Sequence, residues 1–265
     1  MKTLDILCAT DLTQVSNTAL NYAMGLAEHA GTQVSLLHVL GRGERDGHTR
    51  EQIAARMEEQ VADAGGMDRV RVLLIEGGLA AVVEQESARG HSYMVVGTHG
   101  PHGLRQTLFG ADILKMVRRS AVPTLVVQES SPLGNTLGRI VMPVAGHTDI
   151  GRMLDAVCMM ARLYASEVHV FQLMRPNEEP SEELLSNKLI MLQRLEREGL
   201  RHLEVNEPST VFSIGFAEPT IRYAEKVGAG CIAIMSHASD EYRYMADAEK
   251  ERMLTNAAKI PVLCC

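Results

Sequence analysis

Short runs of apolar residues alternate along the chain with longer stretches in which apolar residues recur every three or four positions. The short runs are typical of buried strands, and the longer stretches of helices with one apolar face. In the first half, strands are predicted near 4–9, 33–39, 69–75, 92–97 and 123–128, and helices near 17–30, 48–64, 78–89 and 110–119. In the second half, strands are predicted near 139–144, 167–173, 203–213, 230–235 and 260–265, and helices near 150–165, 181–199, 216–227 and 242–256. Strands that alternate with helices indicate α/β architecture, with a parallel sheet covered on both faces.

The two halves of the sequence resemble each other. Ile6-Leu7-Cys8-Ala9 aligns with Ile140-Val141-Met142-Pro143, and Val122-Pro123-Thr124-Leu125 aligns with Ile260-Pro261-Val262-Leu263. We therefore predict two tandem domains, residues 1–129 and 139–265, each of ordinary domain size. Residues 130–138 contain the Pro, Gly and Ser that are typical of a linker.

Composition narrows the classes of partner. The formal net charge is −7 and the chain has no Trp, so neither a basic surface nor a set of base-stacking aromatic residues is available for nucleic acid. No apolar run reaches the roughly 18 residues of a membrane span, and the first residues do not resemble a signal peptide. The five cysteines show no disulfide or metal spacing, which favours a cytoplasmic location. We expect Cys8, Cys158 and Cys231 to be small buried core residues.

A glycine-containing segment between a strand and a helix is the strongest candidate for a binding site. Gly97-Thr98-His99-Gly100 follows the apolar run Met94-Val95-Val96, and Gly110 stands nine residues further on, before a helical pattern. Glycine lets a ligand approach the backbone closely, and the free N–H groups of a helix start suit phosphate. Ligands of open α/β sheets bind at the carboxyl ends of the strands, where the strand order reverses.

These residues resemble the universal stress protein family, in the branch that binds ATP. The motif Gly97-(2)-Gly100-(9)-Gly110, the sequence Ala9-Thr10-Asp11 after the first strand and His38-Val39 at the end of the second carry the resemblance. It implies two tandem open five-stranded parallel sheets with helices on both faces, of the adenine nucleotide alpha hydrolase-like order 3-2-1-4-5. It also implies ATP, ADP or AMP as cofactor, with Mg²⁺ as a candidate metal. The residues so implied in nucleotide binding are Ala9, Thr10, Asp11, Val39, Gly97, Thr98, Gly100, Arg105, Gly110, Ala111 and Asp112.

The chemistry of these residues suits such a ligand. Asp11 can accept hydrogen bonds from ribose hydroxyls or help to hold Mg²⁺, and Val39 offers backbone groups and an apolar wall to adenine. The backbone around Gly97 and at the start of the helix can enclose phosphates, and Arg105 can add a charged contact. Simpler alternatives stay open: Asp11 as a turn or helix-capping residue, Val39 as a core residue and Arg105 as a solvated loop charge.

Two departures limit the prediction. Ala111 stands where the family usually has a hydroxyl, so we expect nucleotide affinity in the micromolar range or weaker. In the second unit, Ala145 replaces Asp11 and Glu249 replaces Ala111, while Met235, Ala238 and Ala248 stand at the positions of the three glycines. A negative charge and added side chains then meet the phosphate position, so we predict that the second unit binds no nucleotide in this way.

Three functional classes follow from the sequence. The first is a stress-response protein with a nucleotide site in the first unit and a non-binding second unit as its packing partner. The second is a weak ATPase or autophosphorylating protein, with Thr98 or Thr107 as acceptor; no catalytic constellation is placed by spacing. The third is a structural, partner-binding stress protein without nucleotide. The apolar last strands further predict a pseudo-dimer of the two units, or a homodimer of the chain.

Overall fold

The computed structural model describes residues 4–41, 49–98, 113–134, 137–176, 179–209, 215–237 and 246–265. The chain divides into two compact units, Met1–Leu133 and Gly134–Cys265. Each unit is described below by itself.

In the first unit, strands and helices alternate from one end to the other. The strands are β1 (Asp5–Ala9), β2 (Val34–Leu40), β3 (Val70–Glu76), β4 (His91–Thr98) and β5 (Thr124–Gln128). The helices are α1 (Gln14–Ala30), α2 (Arg50–Asp63), α3 (Leu79–Ser87) and α4 (Ile113–Arg119). All five strands are parallel and lie in the order β3-β2-β1-β4-β5. Strands β1, β2 and β5 are buried almost completely, as expected for a sheet covered on both faces.

Local sequence signals explain where the helices of this unit begin and end. Thr49 and Gln52 form a capping box at the start of α2, because the Thr49 hydroxyl accepts the Gln52 N–H at 3.2 Å and the Gln52 amide oxygen accepts the Thr49 N–H at 2.9 Å. Helix α1 ends at Ala30 and is capped by Gly31, which has the left-handed φ of 63° that glycine adopts without a steric penalty.

The second unit has the same alternation. Its strands are β6 (Arg139–Pro143), β7 (Glu167–Met174), β8 (His202–Pro208), β9 (Cys231–Ile234) and β10 (Val262–Cys264). Its helices are α5 (Gly151–Tyr164), α6 (Glu182–Arg197), α7 (Ala217–Lys226) and α8 (Ala246–Leu254). These strands are parallel and lie in the order β8-β7-β6-β9-β10, which corresponds strand for strand to the order of the first unit.

Strand register also agrees between the units. In the first, Leu7 pairs with Met94, and in the second Val141 pairs with Ile232, as the sequence offsets of 134 and 138 positions require. The predicted fold class, with strand order 3-2-1-4-5, is therefore confirmed. Two boundaries differ clearly from the prediction. Helix α1 begins at Gln14, three positions before the predicted start, because a polar turn precedes it. Strand β8 ends at Pro208, whereas the strand was predicted near 203–213.

Candidate functional site

The carboxyl ends of β1, β2 and β4 meet at one edge of the first sheet. Ala9 at the end of β1 pairs with Val96 of β4 on one side and with Leu37 of β2 on the other. Strand β1 therefore stands between the two strands whose ends carry Val39 and the Gly97–Thr98 pair. Because the connections run from β1 toward β2 and from β4 toward β5, the strand order reverses between β1 and β4, where ligands of this architecture bind.

Asp11 organises the turn that connects β1 to α1. Its carboxylate Oδ1 accepts the backbone N–H of Thr13 at 3.2 Å, the Thr13 hydroxyl at 2.6 Å and the Ser16 hydroxyl at 2.6 Å. Leu12, inside the turn, has a φ of +61°, which is uncommon for a residue with a side chain. Oδ1 of Asp11 therefore has the turn and capping role that the sequence left open as an alternative. The other, Oδ2, has no hydrogen bond to any residue that the structure describes, and it is held in place by the bonds of Oδ1.

Thr10 lies in a buried polar network that sequence reasoning missed. Its hydroxyl donates to Gln60 Oε1 at 2.8 Å, and Gln60 Nε2 donates to Asn17 Oδ1 at 2.6 Å. The carbonyl oxygen of Thr10 lies 2.9 Å from Nδ1 of His38, whose side chain is fully buried. The Thr10 hydroxyl is thereby committed to the protein, so its contribution to a ligand would come from the backbone. These contacts join residues 28, 43 and 50 positions apart, and only the His38-Val39 pair gave a sequence signal.

Gly97 has a packing role that its sequence context did not reveal. A Cβ atom at this position would lie 2.8 Å from the backbone carbonyl oxygen of Val15 and closer still to Val15 Cγ1. Real Cβ atoms almost never approach a heavy atom within 3.0 Å, so β4 and α1 can be this close only because residue 97 has no side chain. The close approach that the structure shows at Gly97 is therefore to α1.

The structure places the predicted site residues in two groups. Ala9, Thr10 and Asp11 follow one another at the end of β1, while Val39, Gly97 and Thr98 lie in the last two residues of their strands and Val39 and Thr98 are buried. The remaining predicted residues, which are Gly100, Arg105, Gly110, Ala111 and Asp112, lie outside the described residues.

In the second unit, a carboxylate binds the start of a helix. Glu249 is 8% exposed, and its Oε2 accepts the backbone N–H of Ala217, the first residue of α7, at 2.8 Å. The carboxylate packs so closely on Gly215 that any Cβ there would collide with it. A negative charge at a helix N-terminus is favourable. Sequence comparison located Glu249 as a departure from the first unit but did not predict this bond.

The turn after β6 is also tied down. Asn187 of α6 donates from Nδ2 to the carbonyl oxygens of Ala145 and His147, both at 2.9 Å. At the matching position, 134 residues earlier, the first unit has Ile53, which is buried in its core. The two units therefore hold the corresponding turns by different means: Asp11 acts in the first and Asn187 in the second.

Other titratable groups lie away from this edge of the sheet. His169 of β7 lies 2.8 Å from Glu167, the first residue of the strand, through Nε2. Its Nδ1 lies 2.7 Å from the hydroxyl oxygen of Tyr223. The hydrogen bond with His169 lowers the pKa of Glu167, and burial raises the pKa of Tyr223. Among the described residues, no group of three or more His, Cys, Asp or Glu side chains is arranged to hold a metal ion.

All five cysteines are buried and unpaired as disulfides. Burial raises the pKa of both Cys231 and Cys265 to about 12, which leaves these thiols protonated near neutral pH. The expectation of small buried side chains at Cys8, Cys158 and Cys231 is confirmed. Within the described ranges, no helix has the length and apolar character needed to cross a membrane.

Each unit is a doubly wound α/β domain with an open five-stranded parallel sheet. Residues 3–128, which make up most of the first unit, match the sequence model of the Universal stress protein family. The resemblance to this family is thereby confirmed for the first unit, and the ATP-binding branch stays a prediction. A search of the curated proteins found no match.

Solved structures share the fold over nearly the whole chain. A universal stress protein from Archaeoglobus fulgidus is 16% identical, with a TM-score of 0.70 over 99% of this chain and 96% of that protein. A protein of unknown function from Pseudomonas aeruginosa PAO1 is 15% identical, with a TM-score of 0.63 over 99% and 92%. A putative universal stress protein from P. aeruginosa UCBPP-PA14 is 14% identical, with a TM-score of 0.60 over 98% and 92%. At these identities the similarity establishes the fold.

Proposed function

We propose that this protein is a stress-response protein that binds one adenine nucleotide, ATP, ADP or AMP, at the carboxyl edge of its first sheet. The proposal rests chiefly on Asp11, whose carboxylate is fixed by three hydrogen bonds through Oδ1 and has Oδ2 left over at the β1–β4 switch point. A carboxylate oxygen so placed accepts hydrogen bonds from paired ribose hydroxyls without further ordering of the side chain.

The neighbouring backbone supports the same ligand. Gly97 and Thr98 end β4 directly beside β1, so the chain that leaves β4 starts from the same edge as Asp11. In the resemblance to the family, that segment carries the phosphate-binding glycines Gly100 and Gly110. Adenine would then lie toward the end of β2 near Val39, and the phosphates would lie along residues 97–112, with or without Mg²⁺.

The second unit is proposed to bind no nucleotide. Where the first unit has Ala111, the second has Glu249, whose carboxylate is bonded to the N–H of Ala217. A phosphate brought to the position that corresponds to Ala111 would meet the added side chain and the negative charge of Glu249. The second unit then serves as a partner domain.

The structure supports ATP hydrolysis or autophosphorylation at this site less well than nucleotide binding. Thr98, one of the two acceptors considered for autophosphorylation, is 3% exposed at the end of β4, and a buried hydroxyl is poorly placed to attack a phosphoryl group. Cytoplasmic location and dimer formation stay predictions from the sequence; light scattering during size-exclusion chromatography of the full chain tests the homodimer.

Asp11→Asn is the variant that tests the site. Asparagine keeps one side-chain oxygen for the turn that Thr13 and Ser16 complete, and asparagine is a good turn residue. It replaces the second oxygen with an N–H₂ group, which cannot accept from ribose. Loss of a hydrogen bond to a charged group costs about 1.5–3 kcal/mol. The dissociation constant for the nucleotide should therefore rise roughly 10- to 150-fold.

The assay is calorimetric titration of the full chain with ATP, ADP and AMP, each with and without Mg²⁺. Asp63→Asn is the matched control, since Asp63 is an exposed carboxylate at the end of α2. Equal affinity of Asp11→Asn and the unchanged protein would overturn the role of Asp11. No heat with any nucleotide at millimolar concentration would overturn nucleotide binding and favour the structural, partner-binding class.

A further inference from the structure

The second unit contains a cleft beside the turn that follows β6. It has a volume of about 510 Å³ and runs between the first turn of α5 and the length of α6. Small-molecule sites in proteins commonly have volumes of roughly 300–1,000 Å³. The cleft is lined on one side by residues 148–151 and Leu154, and on the other by α6 residues that recur at helical spacing: Asn187, Ile190, Gln193, Arg194 and Arg197.

The cleft has an apolar wall. Ile150 and Leu154 are buried beside it, while Ile190 faces it from α6 and is 44% exposed. Covering this side chain with a ligand would stabilise the complex by about 25 cal/mol for each Å² of apolar surface removed from water. Ile190 therefore favours an apolar group in the part of a ligand that covers it.

The cleft also has a basic end. Arg194 is held by an ion pair with Asp155, at 2.7 Å between Nη2 and Oδ1, and by a second contact with Glu198. Arg197, the next lining residue, has no hydrogen bond or ion pair with any residue that the structure describes. Arg194 is thus neutralised within the protein, whereas the guanidinium of Arg197 is available to an anion from outside.

The opposite end of the cleft differs in charge. Asn187 and Arg197 are ten positions apart on α6, which separates the two ends by about 15 Å at 1.5 Å per residue. Near Asn187, Asp149 lines the cleft and accepts the N–H of Gly151 through Oδ1 at 2.8 Å. The acidic group thus lies at one end and the free guanidinium at the other, so an anionic ligand has one preferred direction.

We propose that this cleft binds an organic anion with an apolar ring or chain, its carboxylate or phosphate paired with Arg197 and its body on Ile190. The two anion chemistries share the same contacts, because a guanidinium pairs with either group through two parallel N–H bonds. The site belongs to the second unit alone and does not depend on nucleotide binding by the first.

The test uses the isotope-labelled full chain and four probes. 1-Naphthoate and 1-naphthyl phosphate carry both features, 1-naphthalenemethanol carries only the apolar body, and inorganic phosphate carries only the charge. Titrations followed by amide chemical shifts should show both naphthyl anions perturbing residues 149–154 and 187–197. We expect the neutral alcohol and inorganic phosphate each to bind at least about tenfold more weakly, which corresponds to the loss of about 1.4 kcal/mol.

Two variants separate a specific site from surface adhesion. Arg197→Gln should weaken both naphthyl anions about tenfold and leave the binding of the alcohol unchanged. Arg222→Gln is the matched control, because Arg222 is exposed on α7 and pairs loosely with Glu218 at 3.8 Å; it should change nothing. Absence of shifts at millimolar probe, equal affinity for alcohol and anions, or full binding by Arg197→Gln would each overturn the proposal. The ratio of the two naphthyl affinities shows whether the site prefers a carboxylate or a phosphate.

Discussion

Replacement of Gly97 by alanine tests whether the end of β4 is shaped by packing. The added Cβ would lie 2.8 Å from the carbonyl oxygen of Val15, inside the 3.0 Å limit of real contacts, and would overlap Val15 Cγ1. The valine methyl is a short, stiff obstacle and the carbonyl belongs to the first turn of α1, so relief requires β4 and α1 to separate. Overpacking of this kind costs about 1–3 kcal/mol.

An opposing contribution is small. Gly→Ala without strain stabilises a protein by about 0.4–1 kcal/mol, because alanine restricts the unfolded chain. The net expectation for Gly97→Ala is therefore a loss of up to about 2.5 kcal/mol in the free energy of unfolding. In a domain of about 130 residues each kcal/mol lowers the melting temperature by roughly 4 °C.

The assay is urea unfolding with thermal melting as a second measure, and two further variants make the result specific. Gly41→Ala is the control, since a Cβ at Gly41 meets nothing within 4 Å; it should be neutral or slightly stabilising. Val15→Ala in the Gly97→Ala background removes the methyl overlap but leaves the carbonyl contact, so it should restore only part of the loss relative to Val15→Ala alone. Gly97→Ala as stable as Gly41→Ala would refute the packing role.

Two further predictions concern charged groups in the second unit. Glu249→Ala leaves the N–H of Ala217 without its acceptor and should destabilise the protein by about 1–3 kcal/mol, measured by urea unfolding. The control is Glu251→Ala, on the exposed face of α8, which also carries Glu249, and it should have little effect. Equal losses of stability in the two variants would contradict the capping role of Glu249. For pH, the hydrogen bond with His169 lowers the pKa of Glu167 below its ordinary 4.5 in the folded protein. Its contribution to stability is therefore complete above the unfolded pKa and is lost as pH falls through the lowered folded pKa. Stability should fall less steeply in this acidic range for Glu167→Gln than for the unchanged protein, and identical slopes would contradict the assignment.

Much of the fold was predictable because buried parallel strands are continuous apolar runs. The run predicted as 33–39 is observed as Val34–Leu40, and the strand predicted as 92–97 is observed as His91–Thr98. The start of α1 was harder to predict from the sequence. Asp11 and Ser16 support its first turn through a side-chain hydrogen bond, which hydrophobic periodicity does not detect.

The site was predictable only in part. The sequence motif located Asp11 and Gly97, but their local roles depend on neighbours that come together through folding. Thr10 is bonded to Gln60, 50 positions away, and Gly97 adjoins the carbonyl of Val15. Likewise, the change to Glu249 is visible in the sequence, whereas its bond to a helix start requires knowledge of how α7 and α8 approach each other.

Stoichiometry of nucleotide binding tests the central claim most directly. Calorimetric titration of the full chain with ATP should show one bound nucleotide per chain, with micromolar or weaker affinity, and the Asp11→Asn variant should bind at least about tenfold more weakly. Two nucleotides per chain would contradict the proposal that the second unit binds no nucleotide. An absence of binding at millimolar ATP would contradict the account of the first.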